Sequence, residues 1–172
     1  MKSFASGYHA PIYGVKAQRA NRVSAESDLI KLYSARILAL AADMPRTARL
    51  AAPTASAKRR SPLCGSTVTV DIVVKNGVIT DYGQDVKACA LGQAAASLVG
   101  ANVVGLAPAQ IQTGRDALFA MLKEGGPVPA APFAGFEVLE PARDYKNRHA
   151  SIMLAFDATL DALAQASAAK TA

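Results

Sequence analysis

The chain contains two cysteines and two histidines, and Cys64, Cys89 and His149 are the residues on which metal or sulfur chemistry would rest. Cys64 lies in Ser61-Pro62-Leu63-Cys64-Gly65-Ser66, directly ahead of an alternating run, Thr67 to Val74, that puts Val68, Val70, Ile72 and Val74 on one face. Such alternation marks a half-buried strand. Asn76-Gly77 follows, the pair a two-residue type I′ turn prefers because both central residues need positive φ. A second strand from Val78 to about Lys87 must then run back beside the first, with Cys89 just beyond it. The hairpin returns the chain to its starting end and so sets the two thiols within a few residues' reach of each other.

Cys89 also opens an Ala-rich segment, and at a helix N-terminus the aligned peptide dipoles favour a thiolate that can bind metal or attack a sulfur donor. With no hydrophobic secretory signal in the sequence, two cysteines point to a reducing compartment, where a disulfide is disfavoured. Two readings of the pair stay open: a metal-binding or reactive dithiol, or two inert core thiols. His149 sits among Tyr145, Lys146 and Arg148 at the start of the last amphipathic stretch, where spacing alone favours an exposed or capping histidine over a ligand. Lys87, two residues before Cys89, either steadies a thiolate or persulfide or is an exposed strand-end lysine.

The elements that would position these residues follow from periodicity. Leu29, Leu32, Tyr33, Ile37 and Leu40 recur at helical spacing, with Ser27 able to cap the first turn and Met44-Pro45 ending the run. Residues 46 to 61 form a connection with a short edge strand near Thr54 to Arg60. After the hairpin, the small residues of ALGQAAASLVGANVVG suit a helix packed closely on a sheet. Pro108 begins a further helix through Ile111, Leu118, Met121 and Leu122, and Gly125-Gly126 stops it. Pro127 to Pro132 reads as a loop and Phe136 to Asp144 as a short turn or helix; Ile152, Phe156, Leu160 and Leu163 define a last helix from about His149. Helix, strands, then helices is the segregated α+β order, a small antiparallel sheet of about three strands with helices on one face.

Composition narrows the function further. A chain of 172 residues with 51% hydrophobic and 19% charged residues is a globular domain with a core of its own. No apolar run approaches the roughly 18 to 20 residues needed to span a bilayer, so no membrane role is expected. The net charge of +6 is unevenly spread: residues 1–60 hold 11 Lys/Arg against 3 Asp/Glu, and residues 61–172 hold 8 against 10. The excess is scattered through tail and loops without the aromatic interleaving of a single-strand binder, so nucleic acid is not expected as a partner. Residues 1–26 lack a sustained period and carry Gly7, Pro11 and Gly14, which predicts a disordered or loosely docked basic tail in which His9 is solvated, ahead of a domain over 27–172. That tail faintly resembles an organellar transit peptide, while the alanine-rich style elsewhere fits a bacterial cytoplasmic protein.

SPLCGS resembles the Asn-Pro-x-Cys-Gly-Asp motif of the IscU/SufU/NifU-type iron–sulfur cluster assembly scaffolds, and ACALGQAAAS resembles that family's Gly-Cys-x-x-x-x-Ala-Ser-type motif. The cysteine separation and the intervening hairpin are similar too. LIKLYSARILALAADMPRTARL resembles the family's opening Leu-Tyr helix and Pro-Arg turn, so the likeness spans about residues 28–163. It implies a SufE/IscU-like fold with Cys64 and Cys89 as the first two ligands. The family's third cysteine begins the last helix, where NRHASIMLAF has none. In a SufU-like register His149 replaces it; in an IscU-like register His149 matches the preceding histidine and Ala150 takes the cysteine's place. The separation from Cys89 favours the SufU-like register. The family's aspartate after Cys-Gly is Ser66, and its Leu-Pro-Pro-Val-Lys chaperone-docking sequence is absent.

The resemblance thus implies a Cys2His site of Cys64, Cys89 and His149, with Ser66, Asp71, a water or a second protein at the fourth position. Thiolates and imidazole suit Zn(II) or a labile 2Fe-2S cluster and not Mg(II) or Ca(II). The implied role is a non-enzymatic scaffold that takes sulfur from a cysteine desulfurase, builds a cluster with iron and passes it to recipient apo iron–sulfur proteins. A zinc-containing SufU-like sulfur-transfer protein and a metal-free interaction protein are the alternatives.

Overall fold

A computed structural model describes residues 33–171. The tail expected over residues 1–26 and the helix start expected at Ser27 lie outside them. Within them the chain runs α1 (Ala35–Ala42), β1 (Ala55–Arg60), β2 (Thr67–Lys75), β3 (Val78–Lys87), α2 (Ala90–Asn102), α3 (Pro108–Lys123), a 3-10 helix (Ala134–Asp144) and α4 (Lys146–Thr171). The strands form one antiparallel sheet in the order β1-β2-β3, so the fold is the expected α+β arrangement.

One expected element is cut short. Ser34 has an extended ψ of 157° and its hydroxyl accepts the Ile37 N–H at 3.4 Å, so α1 begins after it and the expected helix does not pass unbroken through Ser34. Serine competes with helix interiors by capping the backbone that follows it, which periodicity does not register.

The β2–β3 hairpin turns on Asn76 (φ 51°) and Gly77 (φ 79°), with Lys75 opposite Val78. A bulge at Thr80 then resets the register, since Val74 faces Ile79 while Val73 faces Asp81. Without that extra residue Tyr82 and Gln84 would turn outward, because side chains alternate with period two. With it, Val68, Val70 and Ile72 on β2 and Ile79, Tyr82 and Gln84 on β3 share one buried face. Each fully buried aliphatic side chain there contributes on the order of 1.5–3 kcal/mol. Onto this face pack α4, across β1 and β2, and α2 beside it.

Part of the opposite face is covered as well. The segment after α1 crosses it at Asp71 and Gly83. Arg49 Nη2 donates to Asp71 Oδ1 at 2.8 Å, the Leu50 N–H donates to Asp71 Oδ2 at 3.0 Å, and a Cβ on Gly83 would meet Ala48 O at 2.4 Å. The Arg49 guanidinium holds the buried Asp71 carboxyl below the ordinary aspartate range.

Candidate functional site

Two loops at one end of the sheet carry the cysteines. Arg60 faces Thr67 across β1 and β2, and the connection between them closes on itself: the Ser61 N–H donates to Ser66 O at 2.8 Å and the Gly65 N–H to Ser61 O at 3.1 Å. Gly65 has φ +70°, a conformation a side chain would strain, and it lets Cys64 sit at the exposed tip while Ser61 and Ser66 are buried. At the end of β3, Lys87 faces Thr67, so the chain reaches Cys89 beside the same loop. Cys89 is half-buried and occupies the N-cap of α2, where its thiol makes no capping hydrogen bond and stays available.

The two thiols are joined by hydroxyls. Cys64 Sγ is 3.0 Å from Ser66 Oγ; Ser151 Oγ donates to Ser66 Oγ at 3.1 Å and lies 3.7 Å from Cys89 Sγ. Ser61 Oγ is a further 3.3 Å partner of Cys64 Sγ. Ser66 and Ser151 are buried beneath the more exposed thiols, so the hydroxyls form a floor and the sulfurs face outward. Burial on its own would raise the Cys64 thiol, but hydrogen bonding with the Ser61, Ser66 and Ser151 hydroxyls and the Ser66 backbone outweighs it and brings it from 9.0 down to about 7. Near neutrality about half of Cys64 is therefore thiolate.

Ser151 reaches this place because α4 approaches α2 closely at Gly92. A Cβ on Gly92 would stand 2.5 Å from Ser151 Oγ and 2.8 Å from the Ala88 Cβ. Sequence reasoning named Ser66 but missed Ser151; the available signal was a lone hydroxyl ahead of the apolar stretch Ile152–Phe156.

His149 is not brought to the cysteines. Successive residues on a helix are about 100° apart, so His149 and Ser151 leave α4 on nearly opposite sides. The buried imidazole Nε2 lies 2.9 Å from Ala142 O and 3.1 Å from Arg143 O, donating to the end of the 3-10 helix, and the ring lines a cavity of about 430 Å³ with Leu122, Lys123 and Lys146. Of the expected Cys2His set, the structure joins Cys64 and Cys89 through the serine hydroxyls, while His149 Nε2 is engaged by the carbonyls at the end of the 3-10 helix. Asp71, the carboxylate considered for the fourth position, is taken by Arg49 and Leu50. Among the described residues no three His, Cys, Asp or Glu side chains group as a metal site. Lys87 is an exposed strand-end side chain, its Nζ a loose 3.8 Å from Asp85.

The fold and the paired-cysteine geometry can be set beside known proteins. No family model matches the chain, and no curated protein does. Among solved structures, the N-terminal part of a nitrogen-fixing NifU-like protein from Brucella abortus superposes with a TM-score of 0.80 at 47% identity, over 82% of this chain and 98% of that one. This chain belongs to the IscU/SufU/NifU-type scaffold family. A putative iron–sulfur cluster assembly scaffold protein for the SUF system from Fervidobacterium islandicum AW-1 (TM-score 0.69, 17% identity, 78% of this chain and 98% of that one) shares the fold. So does a hypothetical protein (TM-score 0.70, 20% identity, over the same 78% and 98%). The much higher identity with the NifU-like chain does not single out the SufU branch. No helix among the described residues is long and apolar enough to cross a membrane.

Proposed function

We propose that this family member is a scaffold for iron–sulfur cluster assembly, with Cys64 and Cys89 holding iron and sulfide as cargo. The observation that carries the reading is the outward-facing thiol pair on a floor of Ser66 and Ser151 hydroxyls. A lowered Cys64 pKa supplies a soft anionic donor near neutral pH, and buried hydroxyls donate to sulfur without competing strongly for iron. An exposed site lets cargo enter and leave, as a carrier requires. In this reading sulfur comes from a cysteine desulfurase and the finished two-iron cluster passes to recipient apo-proteins; the chain itself transforms no organic substrate.

Resident zinc fits less well. Structural and catalytic zinc sites draw three or four donors from Cys, His, Asp and Glu, whereas the site offers two thiols and neutral hydroxyls. No step is therefore assigned to zinc. The scaffold reading is tested by anaerobic reconstitution of the full chain with ferrous iron, cysteine, a cysteine desulfurase and a thiol reductant. Sulfide-to-iron charge-transfer absorption in the visible, lost in Cys64→Ser and Cys89→Ser, is expected; a featureless spectrum unaffected by either substitution overturns it.

A further inference from the structure

The donor set in this site is half of what a two-iron cluster takes. Such a cluster binds four protein or exogenous ligands, most often thiolates. The whole sequence holds two cysteines, and both are already here. Beneath them the site is closed: Ser61, Ser66 and Ser151 are buried, and Gly92 leaves no room for a larger group between α2 and α4. His149 and Asp71 are engaged elsewhere. A third and fourth thiolate can arrive only from the solvent side, past the exposed Cys64.

The rim on that side is cationic. Arg60 Nη2 stands 3.8 Å from where a Cβ on Gly65 would be, and Arg60 is exposed. Lys87, opposite Thr67 and beside Asp85, points to the sheet face turned away from α4 and is not part of this rim. Arg148 lies three residues before Ser151, on the same side of α4. A second copy of the chain would bring an identical cationic rim against this one, and like charges at close range oppose that approach. A small thiol bearing carboxylates meets complementary charge instead.

We propose that two molecules of an anionic low-molecular-weight thiol, of the carboxylate-bearing peptide class to which glutathione belongs, complete the coordination of the cargo cluster on Cys64 and Cys89. Each incoming thiol gives its proton to solvent and its sulfur to iron, displacing a solvent ligand from it, and Arg60 and Arg148 hold its carboxylates at the rim. No oxidation change accompanies this step. The proposal rests on the scaffold reading, and it makes cluster retention depend on a thiol that the chain does not own.

The test reconstitutes the full chain anaerobically with ferric iron and sulfide, which together stand at the oxidation level of the two-iron cluster, after its cysteines have been reduced with a phosphine and the phosphine removed, so that no stray thiol is present. Three arms receive no thiol, 2-mercaptoethanol or glutathione, and each is read by visible absorption and by native mass spectrometry. The expected species with glutathione is one chain, one two-iron cluster and two glutathiones, formed at about tenfold lower thiol concentration than with 2-mercaptoethanol, a difference of about 1.4 kcal/mol. That preference should shrink in Arg60→Glu/Arg148→Glu. A cluster loaded without thiol overturns the proposal, whether its mass shows one chain, with all donors internal, or two chains bridging one cluster. In both of those results the scaffold reading stands. No charge-transfer absorption in any arm removes the scaffold reading itself, and the proposal with it.

Discussion

Ser66→Ala isolates what the hydroxyl floor does to the Cys64 thiol. Ser66 Oγ is the 3.0 Å partner of Cys64 Sγ and the link to Ser151, while the Ser66 backbone hydrogen bond to the sulfur survives the substitution. Cys64 stands at about 7 against its ordinary 9.0, and three side-chain partners and one backbone partner share that lowering. Removing one hydroxyl and uncoupling another is expected to raise the reactivity midpoint by about one pH unit. The assay is the pH dependence of reaction with an aromatic disulfide, in a Cys89→Ala background so that a single thiol reports. At pH 7 the thiolate fraction falls roughly fivefold, but a more basic thiolate is intrinsically about threefold more nucleophilic, leaving a net slowing of about twofold. Above pH 9, where both proteins are thiolates, the order reverses and Ser66→Ala reacts about threefold faster. Opposite signs at the two ends of the profile separate an electrostatic effect from a damaged fold. An unshifted midpoint in the variant, or a parent midpoint close to 9, refutes the role given to the serines.

Three further substitutions probe what places the site. Gly92→Ala gains up to about 1 kcal/mol of helix propensity but drives a methyl into Ser151 and Ala88, so a net loss of about 1–3 kcal/mol is expected in urea unfolding; greater stability would show that α2 and α4 are not held at this distance. His149→Ala leaves the Ala142 and Arg143 carbonyls without their buried donor and is expected to cost about 1–3 kcal/mol, while iron bound per reconstituted chain stays at the parent value; loss of iron at full stability would return His149 to the ligand set. Asp71→Asn removes the Arg49 pairing, for roughly 1–3 kcal/mol at neutral pH because Arg49 itself can turn to water. Since the folded Asp71 pKa is depressed, its contribution is present above the unfolded value of about 4 and fades as pH falls through the folded one. The acid limb of the stability profile should therefore flatten in the variant, and parallel acid limbs would count against the pair.

The sequence by itself determined what depends on neighbours along the chain. Alternating Val and Ile residues define β2, Asn76-Gly77 defines the turn because few other residues accept positive φ twice, and a two-residue turn forces the strands antiparallel. From those local facts the approach of Cys64 to Cys89 follows without further information. Ser34 shows the boundary of such reading: a cap looks the same as an interior serine until the backbone is seen, and the expected helix is interrupted there. Tertiary structure alone decided which side of α4 faces the thiols. His149 and Ser151 differ by two positions on one helix, and only the packing of α4 on α2, set by the missing side chain of Gly92, turns Ser151 inward to the cysteines and His149 toward the carbonyls of the 3-10 helix. Helical spacing fixes the angle between two side chains but not the rotation of the helix about its axis, and that rotation chose hydroxyls over an imidazole for the floor of the site.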